Sequence, residues 1–244
     1  MILVIDIGNT NIVLAFNENS SWIKTIRIRT KDADAFSQVR EHLKNCKVEK
    51  CVISSVVPSL TSRIFDMAEE VSQTKPLLIT LKINSGLNPE SIPPECGSDI
   101  ICNLLEGHKR FPDSLVTVAD FGTAFTTETV DENGNVLGVT IAPGMMTSVK
   151  ALYENTAQIP EVCLDVPETV LGRNTVASIR AGVFYGFAGQ LTSIVKQIRK
   201  ETGKTPVVIV TGGFSKYIQP FIEFTCITEI NLTLEGALSA CLMN

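Results

Sequence analysis

One pattern occurs twice in this chain and limits the folds that it can adopt. An apolar run near the start ends in Asp6–Thr10, and a second apolar run, nearly half the chain later, ends in Asp120–Thr123. A buried strand that delivers a carboxylate into a glycine turn with hydroxyl side chains can hold a phosphate and a cation. Two such units predict a duplicated chain with a nucleotide cleft between its halves.

Composition excludes several other classes of protein. The chain has 244 residues, of which 44% are hydrophobic, enough for one large core or two smaller ones. Its net charge of -5 disfavours nucleic acid as a partner. We expect no membrane partner, because no apolar run approaches the ~18 residues of a membrane helix, and no signal peptide, because no basic segment precedes the first apolar run.

The cysteines indicate the compartment. There are seven, scattered, and none forms a CxxC pair. Such a set is typical of small core side chains in a reducing environment and not of a metal cage. We therefore expect a cytoplasmic protein.

The two halves share one order of predicted elements: a meander of short strands, a helix, an apolar strand, a polar turn and a helix. In the first half the strands are predicted at 2–5, 12–16, 22–28, 51–57 and 76–81, and the helices at 35–44 and 59–71. In the second half the strands are predicted at 115–119, 125–130, 136–141 and 206–210, and the helices at 147–155 and 175–202. We expect two α/β domains, residues 1–114 and 115–244, with ligands where the carboxyl ends of the strands converge.

The first glycine turn has the chemistry of a phosphate loop. Gly8 allows backbone N–H groups to approach an anion, and Asn9, Thr10 and Asn11 add neutral donors. Asp6 can hold a cation that offsets phosphate charge. An ordinary hairpin turn would also explain this segment, but its recurrence in the second half favours the phosphate loop.

The second half offers two further candidate segments. Thr123 follows Gly122 directly, which favours a ligand contact, whereas Thr126 and Thr127 are explained equally well by the strand propensity of threonine. Thr211–Gly213 ends a buried strand, and its glycine pair allows a ribose or a flat ring to approach the backbone. A plain turn from strand to helix is an equal alternative there.

A fourth segment begins a predicted helix with Gly97, Ser98 and Asp99. Helix capping alone explains this choice of residues. An aspartate at a helix start that faces a cleft is equally suited to act as a general base towards a hydroxyl substrate.

Together these residues resemble the type III pantothenate kinases, of the superfamily that includes acetate kinase, sugar kinases, heat-shock ATPases and actin. The resemblance covers essentially the whole chain. Its matching motifs are Asp6–Thr10, Ser54–Pro58, Gly97–Asp99 with Asn103, Asp120–Ala124, Ile141–Gly144, Thr156–Ala157, Gly172–Thr175 and Thr211–Gly213.

The resemblance implies two duplicated ribonuclease H-like (actin-like ATPase) domains with a cleft between them. It also implies ATP-dependent phosphorylation of the pantothenate hydroxyl, the first step of coenzyme A synthesis. The cofactors would be Mg²⁺ and a monovalent cation, K⁺ or NH₄⁺, and the working form a dimer, either a homodimer or a heterodimer with a paralogous chain.

The resemblance also implies a role for each candidate residue. Asp99 would be the catalytic base, Asp120 would hold the monovalent cation and Asp6 would be a second metal ligand. The nucleotide would be bound by Asp6, Ile7, Gly8, Asn9, Thr10, Asn11, Ile12, Val13, Thr123, Thr211, Gly212 and Gly213. Pantothenate would be bound by Gly97, Ser98, Asp99, Ile100 and Thr175, the last near the dimer interface.

Four positions depart from the family pattern. Ile100 replaces an arginine, Val139 a glycine and Glu128 an aspartate, and Phe125 replaces a small hydroxyl residue, which would put a bulky ring close to ATP. Loss of the arginine would remove a charge-assisted bond of ~1.5–3 kcal/mol. The departures leave open a divergent working kinase, a subunit that needs a paralogous partner, a binding protein without catalysis, and a kinase of the same superfamily for another small hydroxyl compound.

Overall fold

A computed structural model describes all residues from Met1 to Asn244. The chain forms two compact units, one of Met1–Arg110 with Leu232–Asn244 and one of Phe111–Asn231. These units differ from the predicted halves, 1–114 and 115–244, chiefly in the last segment of the chain, which packs with the first unit.

The first unit contains a mixed five-stranded sheet. Its strands are β1 (Ile2–Ile7), β2 (Asn11–Glu18), β3 (Ser21–Arg29), β4 (Lys50–Ser55) and β5 (Leu77–Leu78), in the order β3-β2-β1-β4-β5. β1 pairs antiparallel with β2 and parallel with β4. The helices are α1 (Ala35–Leu43), α2 (Pro58–Val71), α3 (Ser98–Arg110) and the C-terminal α7 (Leu232–Met243), with one 3-10 turn at Pro89–Ser91.

The second unit repeats this topology. Its strands are β6 (Val116–Phe121), β7 (Ala124–Val130), β8 (Val136–Pro143), β9 (Val207–Thr211) and β10 (Ile227–Thr228), in the order β10-β9-β6-β7-β8. Its helices are α4 (Met145–Glu154), α5 (Thr175–Thr202) and the short α6 (Ser215–Ile218), which continues into a 3-10 turn at Gln219–Phe221. β6 pairs antiparallel with β7 and parallel with β9, as β1 does with β2 and β4. The predicted α/β fold with two duplicated halves is therefore confirmed.

The C-terminal helix α7 joins the first unit because it packs closely against α3. Gly236 allows the approach, since a Cβ atom there would lie 2.0 Å from the Cys102 carbonyl oxygen. Polar groups fix the pair: the buried Glu106 accepts from Ser239 Oγ at 2.6 Å, and Arg110 donates to Glu235 at 2.7 Å. Sequence patterns did not predict this helix, because its apolar residues occur on all sides.

One face of the first sheet packs against α1 and α2. Leu3, Ile5 and Ile7 of β1 point to that face and are fully buried. Side chains alternate along a strand, so Asp6 points to the opposite face. None of the helices combines the length and apolar composition that a membrane span requires.

Candidate functional site

Asp6 lies near the carboxyl end of β1 and is partly buried. Burial, and secondly the negative charge of Asp99, raise its pKa to about 6; a Ser54 hydrogen bond and the charge of Arg27 act in the opposite direction. Asp6 pairs in register with Ser54, whose hydroxyl lies 3.0 Å from that of Ser98, the residue before Asp99. The fold therefore brings together Asp6 and Asp99, which are 93 positions apart in the sequence.

The loop that follows Asp6 is held in a fixed shape. Gly8 N–H donates to the Asn11 carbonyl at 2.9 Å and closes a tight turn between β1 and β2. Thr30 directly follows β3. It donates through its backbone N–H to the Thr10 carbonyl at 2.9 Å and through Oγ1 to the Gly8 carbonyl at 2.7 Å. Asn9 and Thr10 are exposed at the tip, where a ligand can reach them.

Three of the predicted nucleotide contacts have side chains in the core. Ile7, Ile12 and Val13 are at most 4% exposed. Their backbones belong to the paired strands β1 and β2, so their part in binding a nucleotide stays a prediction.

The first turn of α3 carries the predicted catalytic base. Asp99 is partly buried, burial raises its pKa, and its Oδ1 accepts from the Ile100 backbone N–H at 2.8 Å. Gly97 leaves room for this carboxylate, because a Cβ atom there would lie 2.5 Å from Asp99 Oδ1. The backbone around Asp99 therefore fixes its position.

Two buried hydroxyls link this turn to the strands. Ser98 Oγ accepts from the Ser55 backbone N–H at 2.7 Å and lies 3.0 Å from Ser54 Oγ. Ser54 in turn hydrogen bonds to the Asp6 carboxylate. β1, β4 and α3 thus meet through a chain of hydrogen bonds from Ser98 to Asp6, and the Ser54–Ser55 pair was the only local signal for this link.

Ile100 is 8% exposed and packs in the interior of the first unit. Its role in binding a substrate stays a prediction. Ile100 contacts the candidate site through its backbone N–H, which donates to the Asp99 carboxylate.

In the second unit, three glycines surround the carboxyl end of β6. A Cβ atom at Gly212, where φ is 87°, would lie 2.3 Å from Asp120 Oδ1, and one at Gly122 would lie 3.1 Å from the same atom. At Gly144, which precedes α4, it would lie 2.2 Å from the Gly122 carbonyl oxygen. The glycines allow the backbone to pack closely around the Asp120 carboxylate, whose Oδ1 is buried. Carboxylate and carbonyl oxygens gathered in this way suit a hard cation.

The two units place their aspartates in the same way. Asp6 pairs in register with Ser54 on the neighbouring parallel strand, and Asp120 pairs with Thr211 on its own. Each carboxylate therefore has a hydroxyl residue beside it. Thr211 is 1% exposed, whereas a Cβ atom at Gly213 would meet nothing within 4 Å. The contact of both residues with a nucleotide stays a prediction.

Thr123 is exposed at the turn between β6 and β7. Its carbonyl oxygen accepts from Gly144 N–H at 3.0 Å and from Thr147 Oγ1 at 2.7 Å. The start of α4 therefore holds this turn, and Gly144 gains a role that its sequence motif alone did not indicate.

The ring of Phe125, which the sequence pattern predicts close to ATP, lies in the core of the second unit. Phe125 is fully buried, stacks on Phe121 with ring centroids 4.7 Å apart and meets Phe187 edge-on at 5.6 Å. In the register of β6 and β7, Phe125 faces Phe121 while Thr126 faces Asp120. Neighbouring residues of a strand point to opposite faces, so the Phe125 ring points away from the Asp120 face.

The other departures in this unit lie within the sheet. Glu128 is fully buried on β7, opposite Val118 and Val139 in the neighbouring strands. Val139 is partly buried on β8. Neither has a place at the glycine turn beside Asp120.

Two concavities occur near predicted site residues. One, of about 560 Å³, contains Thr175 at the start of α5 and is otherwise lined mainly by apolar side chains of α4, of α5 and of the segment between them. The other, of about 500 Å³, opens beside Ser55 between the ends of β4 and β5 and the start of α2. Asp99 lines neither concavity. Ser55, which lines the second one, donates its backbone N–H to the hydroxyl of Ser98, the residue that precedes Asp99.

No group of three or more His, Cys, Asp or Glu side chains converges as a metal cage. Mg²⁺ in phosphate-transferring sites takes one or two carboxylates and obtains its remaining ligands from phosphates and water. The single carboxylates Asp6 and Asp120, each beside a hydroxyl residue and a glycine turn, fit that kind of binding.

Structures with low sequence identity share the fold. The activator of 2-hydroxyisocaproyl-CoA dehydratase from Clostridium difficile, solved with bound ADPNP, is 16% identical, with a TM-score of 0.55 over 98% of this chain and 92% of that one. Component A of (R)-2-hydroxyglutaryl-CoA dehydratase from Acidaminococcus fermentans is 14% identical, with a TM-score of 0.52 over 98% and 95%. They confirm the predicted actin-like ATPase fold of duplicated ribonuclease H-like domains.

Sequence relatives are much closer. The type III pantothenate kinases of Dictyoglomus turgidum and Brevibacillus brevis are each 38% identical to this chain over 97% of its length and 96% of theirs. The sequence profile of the type III pantothenate kinases matches residues 2–197. The chain therefore belongs to the type III pantothenate kinase family and is a kinase that uses ATP.

Proposed function

We propose that this chain phosphorylates pantothenate with ATP to give 4'-phosphopantothenate, the first step of coenzyme A synthesis. The observation that carries the proposal is the convergence of Asp6 and Asp99 beside the loop at Gly8, in a chain of this family. One carboxylate suits a base and the other lies at a phosphate loop, which are the parts that transfer of a phosphoryl group to a hydroxyl requires.

Asp99 acts as the general base. As the acceptor hydroxyl oxygen bonds to the γ-phosphorus of ATP, the bond from that phosphorus to the ADP oxygen breaks, and the hydroxyl proton passes to Asp99. The raised pKa of Asp99 makes its carboxylate a better proton acceptor than an exposed one. Its hydrogen bond to the Ile100 N–H and the space left by Gly97 keep it in place.

Other residues bind and orient the substrates. The loop from Asp6 to Val13 presents backbone N–H groups to the phosphates, and Thr123 with Thr211–Gly213 contacts the nucleotide. Asp6 would hold Mg²⁺ and Asp120 a monovalent cation, K⁺ or NH₄⁺, which supply positive charge to offset the phosphates when bound. Gly97–Ile100 and Thr175 contact pantothenate. In such reactions positioning and charge compensation supply most of the catalysis.

The working form that we propose is a cytoplasmic dimer, with Thr175 near its interface. The cysteines support the compartment, since all seven are free thiols. The apolar lining around Thr175, which includes Leu152 and Ile159, supports an interface there.

The rival function is that of a catalytically weakened partner subunit in a hetero-oligomeric pantothenate kinase. Ile100 favours it, because an apolar, buried side chain occupies a position where the family usually has an arginine. Phe125 no longer supports it, because its ring lies in the core.

Kinetic assays of the purified chain test the base. With ATP, Mg²⁺, K⁺ and pantothenate we expect turnover, and Asp99→Asn should lower kcat by about 10²- to 10⁴-fold, the usual contribution of a general base. Asp113→Asn, at an exposed carboxylate outside the candidate site, is the matched control and should keep full activity. Full activity of Asp99→Asn would refute the assignment of the base.

A second measurement separates the two functions. If the chain is a partner subunit, the pure protein will be inactive and co-purification from its host will recover a paralogous chain that restores turnover. Turnover by the pure chain, with one species of chain in the dimer, excludes the partner-subunit function. A panel of small hydroxyl compounds in the same assay tests whether pantothenate is the preferred acceptor.

A further inference from the structure

A row of side chains crosses the first sheet at the level of Asp6. Arg27 on β3 pairs with Val13 on β2, Val13 pairs with Asp6 on β1, and Asp6 pairs with Ser54 on β4. Residues paired in register point to the same face of a sheet. Arg27 therefore projects from the face that carries Asp6, two strands away, or about 10 Å along the sheet at the usual strand spacing.

The charge of Arg27 acts on this face. Its attraction lowers the pKa of Asp6, against the larger effects of burial and Asp99. The Arg27 side chain is exposed, so its guanidinium can be reached by a ligand. Of the other basic residues of β3, Lys24 projects from the opposite face, 5.9 Å from the centre of the Phe16 ring, and Arg29 pairs with Asn11, one row closer to the loop tip.

Under the proposed function, negative charge gathers at this place. Asp6 and Asp99 are both acidic, and ATP would bring a polyphosphate to the adjoining loop. The start of α3 supplies no positive side chain, since Ile100 follows Asp99 directly. An arginine offers parallel N–H donors that match two oxygens of a phosphate, which a backbone loop of single N–H groups does not.

We propose that the guanidinium of Arg27 binds the phosphate chain of the nucleotide held by the Gly8 loop. The inference rests on the proposed function, because it needs a nucleotide at that loop. Arg27 is then a binding residue that compensates charge on the side of Asp6 remote from Asp99.

Calorimetric titration with ADP tests the contact without any need for turnover. Arg27→Gln should weaken ADP binding by about 10- to 100-fold, the usual effect of removing charge-assisted bonds. Arg27→Lys should recover part of the loss, because it restores the charge without the fork. Adenosine, which lacks phosphate, should bind the wild type and Arg27→Gln equally. Lys24→Gln removes one charge from the opposite face of the same strand and should bind ADP as the wild type does.

Kinetics give a readout that a purely structural role would not change. In Arg27→Gln the KM for ATP should rise by about tenfold or more while the KM for pantothenate changes less than about threefold, and added guanidinium ion should restore part of the activity of Arg27→Ala. Melting temperatures should match the wild type, since Arg27 is exposed.

Three results would overturn the inference: unchanged ADP affinity in Arg27→Gln, equal weakening of ADP and adenosine, or loss of ADP affinity in Arg29→Gln with none in Arg27→Gln. Failure of the proposed function is distinguishable. A wild type that binds ADP but does not phosphorylate pantothenate counts against that function, while the ADP comparison still decides the role of Arg27.

Discussion

Ser98 connects the helix that carries Asp99 to the strand next to Asp6. Its hydroxyl is buried, accepts from the Ser55 N–H and meets Ser54 Oγ at 3.0 Å. Because the Ser98 hydroxyl hydrogen bonds to both the Ser55 N–H and the Ser54 hydroxyl, Ser98 orients the first turn of α3 relative to β4. We regard Ser98 as a positioning residue for the two carboxylates.

Ser98→Ala tests this role. Removal of the hydroxyl leaves the buried Ser55 N–H without its acceptor, so we expect the free energy of unfolding to fall by about 1–3 kcal/mol. If Asp99 shifts with the turn, kcat should fall by about 10- to 100-fold with little change in the KM for ATP. Denaturant titration and steady-state kinetics measure the two effects. Ser37→Ala, on an exposed face of α1, should change neither, and wild-type values for Ser98→Ala would contradict the role.

The raised pKa of Asp6 predicts a dependence of stability on pH. Its unfolded value is 3.8 and its folded value about 6, so between these pH values the folded state holds a proton that the unfolded state releases. Stability contributed by the protonated carboxyl is therefore lost as pH rises from about 4 to about 6. A shift of about two pKa units corresponds to about 3 kcal/mol.

Asp6→Asn should abolish the fall in unfolding free energy that the wild type shows as pH rises from about 4 to about 6. In a buffer with chelator, we expect the variant to be more stable than the wild type by up to about 3 kcal/mol at about pH 8 and nearly equal to it at about pH 4. Urea titrations over this pH range measure the difference. Parallel pH profiles of Asp6→Asn and wild type would show that Asp6 is not responsible.

Asp131→Asn is a control of opposite sign for the same titrations. Slight burial raises the pKa of Asp131, but hydrogen bonds from Asn135 and Asn133 together outweigh it, so the pKa is lowered. The ionised carboxylate therefore contributes stability above its unfolded pKa, and that contribution is lost as pH falls through the folded pKa. We expect Asp131→Asn to be less stable than the wild type near neutral pH and to approach it in acid.

At the level of elements, the contact between α3 and α7 holds the C-terminus in the first unit. α3 carries the candidate base at its first turn, and α7 supports the same helix further along through Gly236, Ser239 and Glu235. Packing of α7 therefore stabilises the helix on which Asp99 depends.

Gly236→Ala tests this packing. The added methyl would lie 2.0 Å from the Cys102 carbonyl, so the helices must separate, and we expect a loss of about 1–3 kcal/mol or more in unfolding free energy. Gly189→Ala is the matched control, because a Cβ atom there meets nothing within 4 Å on α5, and should be neutral or stabilising by up to about 1 kcal/mol. Denaturant melts of both variants decide the point, and equal stability would show that α3 and α7 separate without cost.

For the whole molecule, duplication explains why local patterns predicted so much. Each unit has a five-stranded sheet of matching strand order, and each carries its aspartate on the strand at the centre of that sheet. The meanders, the glycine turns and the long helix α5 were all predicted close to their observed positions. Strand β5 was predicted over 76–81 and consists only of Leu77–Leu78.

Patterns local to the chain were enough to predict the duplicated fold, the kinase family and the segments that carry Asp6, Asp99 and Asp120. They were enough because strand alternation, glycine turns and helix starts depend on residues close together in the chain. Four features became visible only in the folded chain: Phe125 lies in the core, α7 packs on α3, Ser98 reaches Asp6 through Ser54, and Arg27 shares the face of Asp6. These facts depend on strand register and on contacts between distant segments, and a shift of one residue in register would turn each side chain to the other face of its sheet.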